Sequence, residues 1–147
     1  MALVSFNVAL AKWPLDDPRM AEFTNNSERM KLLASRSPGF IWQQHDHGQQ
    51  VLGDPLMTWT LSMWESADAL AAFAFNTVHR RLFAKRDQWF PVLEHPAIVM
   101  WEAPAESRPT LEDAQRRLMK LHHEGPSDEG FSWERFDALR ARRNEVA

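Results

Sequence analysis

Hydrophobic and polar positions alternate along several short stretches of this chain and recur at helical spacing between them. Val4, Phe6, Val8 and Leu10 alternate with Ser5, Asn7 and Ala9, which predicts a strand ending at Trp13-Pro14, where proline has no N–H to give a ladder. Leu15-Asp16-Asp17-Pro18 offers capping carboxylates and a proline suited to a first helical turn. Met20, Phe23, Ser27, Met30, Leu33 and Ala34 then trace one face of a helix of about five turns. Ser37-Pro38-Gly39 breaks it, residues 40–45 read as a second strand, and the polar stretch 46–54 reads as a hairpin loop. In the third strand Met57, Trp59, Leu61 and Met63 point one way while Thr58, Thr60, Ser62 and Trp64 point the other. Ser66 caps a helix with Asp68 in its first turn and Leu70, Phe73 and Ala74 at inward spacing. A second helix, capped by Asn76 or Thr77, brings His79, Leu82, Phe83, Arg86 and Phe90 to one apolar face before Pro91 closes it. Residues 97–101 predict the last strand.

Strand, helix, strand, strand, helix pair, strand is the order of an α+β, ferredoxin-like split βαβ fold: a four-stranded antiparallel sheet with helices on one face. The other face is then left bare. Both rows of the first and third strands are at least semi-apolar, so the second face must be shielded by a partner sheet or by the 104–147 arm, and a second copy is the expected cover. This predicts a homodimer in which two sheets meet face to face, a dimeric α/β barrel. Residues 1–103 form that domain, and 104–147 are a C-terminal extension that packs on the domain or on the partner subunit. Within the extension Thr110 caps a helix whose Leu111, Ala114, Leu118 and Leu121 make a narrow stripe ending at Gly125-Pro126.

Composition narrows the chemistry. A net charge of -3 with scattered lysines and arginines gives no pull toward nucleic acid, and the absence of cysteine excludes disulfides, thiolate metal sites and cysteine nucleophiles. The first residues alternate like a strand and carry no basic segment, so neither a signal peptide nor a membrane partner is expected and the location is read as cytoplasmic. His45 and His47 lie two apart in a polar loop without a third ligand in view, so no metal site is expected. His122-His123 suits the C-terminal end of a helix dipole, and Arg80-Arg81 with Arg140, Arg142 and Arg143 read as solvated charge. His79 and Arg86 are the sharpest candidates, since each places a polar group on an apolar helix face. Packing against a carbonyl or a carboxylate is the plainer use of either.

Trp64-Glu65-Ser66 leaving a strand into a helix, with Leu70 and Phe73 after it, resembles the dimeric α/β-barrel superfamily that includes the antibiotic biosynthesis monooxygenases. Phe6-Asn7-Val8-Ala9, Ser37-Pro38-Gly39-Phe40, His79 to Arg81, Arg86 with Trp89-Phe90, Arg108-Pro109-Thr110 and Gly125-Pro126 together resemble one family in it. That family consists of small bacterial proteins classed as a domain of unknown function. The resemblance implies the fold and the homodimer, and it implies a monooxygenase-like oxidoreductase, a cofactor-independent oxygenase acting on a flat aromatic or polyketide-like small molecule. His79, Arg86 and Asn7 are then the catalytic candidates, with Trp59, Trp64, Phe83 and Trp89 lining the ligand. Two alternatives stand beside it: haem binding with His79 as axial ligand and Arg86 near a propionate, and a non-catalytic binding or assembly module.

Overall fold

β1 (Ala2–Leu10) alternates between two environments, and every neighbour it pairs with continues the division. The computed structural model describes residues 1–45, 51–75, 85–89 and 97–133, with 135, 136 and 138. α1 (Ala21–Ser35) follows a single 3-10 turn, Pro18–Met20, whose Asp17 cap accepts from the Arg19 N–H. The Arg19 guanidinium hydrogen-bonds the same carboxylate and holds it down at about 2. β2 (Phe40–Gln44), β3 (Met57–Trp64), α2 (Ala67–Ala74), β4 (Ile98–Ala103) and α3 (Leu111–Glu124) follow among the described residues. The sheet order is β2-β3-β1-β4, with every adjacent pair antiparallel. The four-stranded ferredoxin-like α+β fold is therefore present as the periodicity predicts.

Turn chemistry explains the joints. Gly39 has φ +84, and a Cβ placed there would lie 2.5 Å from the Ala69 Cβ, so the turn from α1 into β2 needs glycine for both conformation and space. The Ser66 hydroxyl accepts from the Ala69 N–H and starts α2 as expected, and the Thr110 hydroxyl accepts from the Asp113 N–H and starts α3.

One face of the sheet carries Leu3, Trp64 and Met100, which pack with Ala34 of α1, Leu70 and Ala71 of α2, and Phe131 and Phe136. The opposite face carries Val4, Phe6, Val8, Trp59, Leu61, Met63, Val99 and Trp101, and Ala114, Leu118 and Leu121 of α3 lie on it. This overturns the expected bare face. Val4, Phe6, Leu61, Met63 and Val99 are each 0% exposed within one chain, so these residues are buried by α3 rather than by a partner sheet. The stripe read from the extension is the cover. Its fit is anchored by Arg117, whose guanidinium stacks 4.7 Å from the Trp101 ring while donating to Asp113 and to the Glu129 carbonyl.

The extension also reaches the second face. Met100 and Phe131 exchange two backbone hydrogen bonds, 2.8 and 2.9 Å, so residue 131 pairs with the outer edge of β4, and Phe131 and Phe136 enter the core opposite α3. The C-terminal segment thus clasps β4 from both sides. Burial tends to raise the Asp113 carboxyl, but hydrogen bonds from Arg117 and Arg116 win and hold it below its usual 3.8. A depressed folded-state value means stability that is complete above 3.8 and fades as pH falls through the depressed value. Urea midpoints of the wild type and Asp113→Asn should therefore differ at neutral pH and converge in acid below 3.8; a gap that persists there would mean the carboxylate's charge is not what holds α3.

Candidate functional site

The helix-side face of the sheet is apolar at one end and polar at the other. At the apolar end Leu3 pairs with Trp64. The Trp64 ring is stacked on Phe73 at 5.2 Å and edge-on to Phe40 at 5.5 Å. One row along, Ser5 sits between Ser62 and Met100, and Gln43 lies beyond Ser62. Ser62 accepts from the Trp64 indole N–H at 3.1 Å, so the tryptophan is satisfied inside the floor. The next row holds Asn7 opposite Thr60, with His45 reaching Thr60 from the end of β2.

Asn7 is exposed while Ser5 is buried, and the Ser5 hydroxyl donates to the Asn7 Oδ1 at 3.3 Å. That contact leaves the Asn7 amide N–H groups turned to whatever lies over the sheet. Across the strand, Thr60 and His45 are half-buried with 3.5 Å between Oγ1 and Nδ1, and His45 Nε2 lies 2.9 Å from Gln43 Oε1. Gln43 is itself held by α1, because its amide donates to the Lys31 carbonyl at 2.9 Å. A donor on β1 and an acceptor pair on β3 and β2 therefore face the same space. On β2 and β3 the neighbouring positions are Gln43, Ser62 and Thr58, while Ile98 of β4 stands on the other side of Asn7. The geometry suits a neutral ligand carrying a carbonyl and a hydroxyl, since neutral hydrogen-bonding groups solvate such oxygens without a counter-charge.

The expected site residues divide sharply. Asn7 and Trp64 share the helix-side face, with Trp64 in the packed floor. Trp59 points to the other face under α3, 6.4 Å from Phe6 between ring centroids, and cannot meet a ligand that touches Asn7. Among the described residues its indole N–H has no hydrogen-bond partner although the residue is 3% exposed, a cost of about 1–3 kcal/mol in general terms. Trp89 is buried with Ala11 and Met20 in a small separate cluster, its ring 5.7 Å from Phe23. Arg86 stands on a single 3-10 turn, Arg86–Gln88, and is exposed, where an apolar-face position was expected. Trp89 takes the inward position of that segment, and the Lys85 to Glu22 ion pair, 2.7 Å, ties it to α1. His79 and Phe83 lie outside the described residues, as do His47, Arg80, Arg81, Arg140, Arg142 and Arg143.

Gln43, His45 and Thr60 are additions that the sequence reading did not join to Asn7. Period-two alternation puts Gln43 and His45 on one side of β2 and Thr60 on the polar side of β3, but only the register brings them to one row. Among the described residues no three His, Asp or Glu side chains converge as metal ligands do, and no helix is long and apolar enough to cross a membrane.

With that geometry described, the relatives can be placed. Residues 2–145 match the family model described as a domain of unknown function, DUF3291, and the chain belongs to that family. No curated protein matches the sequence. Several solved structures share the fold, and three illustrate it. A conserved protein from Methanosarcina mazei Go1 has a TM-score of 0.56 at 14% identity, over 71% of this chain and 94% of its own. A protein from Nitrosomonas europaea named for the antibiotic biosynthesis monooxygenases has a TM-score of 0.55 at 16% identity, over 73% of this chain and 94% of its own. SnoaB, a cofactor-independent oxygenase from Streptomyces nogalater, has a TM-score of 0.53 at 13% identity, over 74% and 98%. These neighbours are used almost end to end while about a quarter of this chain has no counterpart in them.

Proposed function

We propose that this chain is a small-molecule enzyme of the antibiotic biosynthesis monooxygenase type, working in the cytoplasm as a cofactor-independent oxygenase on a flat aromatic or polyketide-like compound. The observation that carries the reading is the Asn7, Thr60 and His45 row, a hydrogen-bonding patch on the same sheet face as the apolar, aromatic floor around Trp64. Asn7 is exposed and Thr60 and His45 are half-buried, so a planar ligand edged with oxygens can pair with the row from above the sheet. The shared fold with proteins named as monooxygenases supports the class of reaction. In such chemistry the substrate itself supplies electrons to dioxygen, so the protein's part is to hold it, exclude water and take a proton.

In this proposal Asn7 holds a carbonyl oxygen, and Trp64 and its stacked neighbours form the floor. His79 and Phe83 remain candidates by sequence alone, and Arg86, being exposed, has no part. The Asn7, Thr60 and His45 row is drawn from one chain. Haem binding rests on His79 and draws no support from the described residues. Oxygen uptake with a panel of electron-rich polycyclic phenols under metal-free conditions tests the reading. Uptake by the wild type that Asn7→Leu loses is the expected result; an inert wild type, or an indifferent variant, counts against it.

A further inference from the structure

We propose that the middle of α1 is the second wall of this site, and that Ser27 and Met30 there select the ligand: a flat fused-ring molecule with its oxygens toward the Asn7 row and its hydrocarbon body toward Met30. The inference deepens the small-molecule reading and rests on it. Its basis is where α1 is fastened to the sheet and where burial is lost between the fastenings.

Burial on the helix-side face changes row by row. Leu3 and Trp64 are buried, and so are Ser5, Ser62 and Met100 in the next row. At the following row every strand loses cover at once. Asn7 of β1 is exposed, while Thr60 of β3, Ile98 of β4 and His45 at the end of β2 are half-buried. Thr58 and Ala9, one row on, are half-buried as well, and cover returns at Ala11, which packs with Met20 and Trp89. β1 lies between β3 and β4, and its opposite-face residues Phe6 and Val8 are buried, so the exposure of Asn7 is not fraying at an edge.

α1 bridges this opening. Its C-terminal end is fastened over the buried rows, since Ala34 packs with Leu3, Trp64 and Leu70, and the Lys31 carbonyl accepts from the Gln43 amide at 2.9 Å. Its N-terminal end is fastened beyond the opening by Met20 and by the Phe23 ring, 5.7 Å from the Trp89 ring. Ser27 lies seven positions from both Met20 and Ala34, and Met30 seven from Phe23, so helical period puts both on the face that these anchors turn to the sheet. Met20 and Ala34 are buried, but Ser27 and Met30 between them are half-buried. Helix and sheet thus lose cover at the same place, as the two walls of a slot do. The stretch from Phe23 to Lys31 is about 12 Å long by helical rise, room for about three fused rings in line.

The walls differ in chemistry. The floor offers the Asn7 amide and the Thr60 hydroxyl, and the middle of the roof offers the soft, apolar Met30 thioether beside a small residue. A ligand that suits both has an edge of hydroxyl or carbonyl oxygens and a flat hydrocarbon body. The small Ser27 side chain is what leaves that body its space.

Alizarin, a flat fused-ring hydroxyquinone, is a suitable probe, with catechol as its single-ring comparison. In NMR titration of the wild type, alizarin is expected to shift the Met30 methyl signal and to leave the Met119 methyl, on the exposed side of α3, unmoved. Ser27→Leu, which fills the slot, should bind alizarin at least about tenfold more weakly and catechol within about threefold of wild type, the usual scale for a change in pocket size. Asn25→Leu, at an exposed position of α1, should bind both compounds as the wild type does. Alizarin that shifts the Asn7 amide but not the Met30 methyl, or that binds Ser27→Leu as tightly as wild type, overturns the role of α1 and leaves the small-molecule reading standing. A folded Ser27→Leu protein that loses catechol too, an Asn25→Leu protein that loses alizarin equally, or a wild type that binds catechol alone does the same. A wild type that binds neither compound counts against both.

Discussion

Leu118→Asp is expected to cost more stability than any substitution on the helix-side surface, more than about 4 kcal/mol. Leu118 is 0% exposed at the centre of the α3 stripe, and the residues it meets come from the apolar face of β1, β3 and β4. A carboxylate there finds no partner. Leu118→Ala should cost about 2–5 kcal/mol, and Met119→Ala, one residue along and 38% exposed, within about 0.5 kcal/mol. The contrast separates docking from helix propensity. Because undocking α3 uncovers a continuous apolar sheet face, Leu118→Asp should also self-associate in sedimentation beyond the assembly the wild type forms. A Leu118→Asp protein as stable and as monodisperse as Met119→Ala would mean that α3 does not cover the sheet in solution.

Asn7→Leu is expected to do the opposite: leave stability nearly intact and lower kcat/KM about a hundredfold, the usual scale for losing one preorganised donor to a developing oxyanion. Asn7 is exposed and its side chain accepts from the Ser5 hydroxyl, so little packing is lost. Ser5→Ala serves as the companion variant. It frees the Asn7 amide to rotate, so it should raise KM with a smaller fall in kcat. Equal rates for Asn7→Leu and wild type on a substrate that the wild type oxidises would remove Asn7 from the chemistry.

Much of the fold could be read from period alone. The alternation in residues 57–63 put Trp59 and Trp64 on opposite faces before any register was known, and Ser66 and Thr110 are caps where their spacing says they should be. What period could not supply was the destination of the arm. Leu111, Ala114, Leu118 and Leu121 define a stripe that fits any apolar sheet face, whether its own chain's or a partner's, and the choice depends on the clasp of Phe131 and the Arg117 stack on Trp101, both long-range. The site was half legible for a related reason. Asn7 stood out as a carboxamide in an apolar strand, but Gln43, His45 and Thr60 join it through strand register, which one sequence does not contain. His45 was read with His47 as a loop pair, while its partners Gln43 and Thr60 lie on strands.

The central claim is that ligands bind on the helix-side face of the sheet, at the row of Asn7, Thr60 and His45, and not beneath α3. Chemical-shift mapping with alizarin tests it directly, because the two faces carry separate reporters. Shifts concentrated at Asn7, Thr60 and His45, with the Trp59 indole N–H unmoved, are the predicted result. Shifts at the Trp59 indole and along Ala114, Leu118 and Leu121, with the Asn7 row silent, would contradict it.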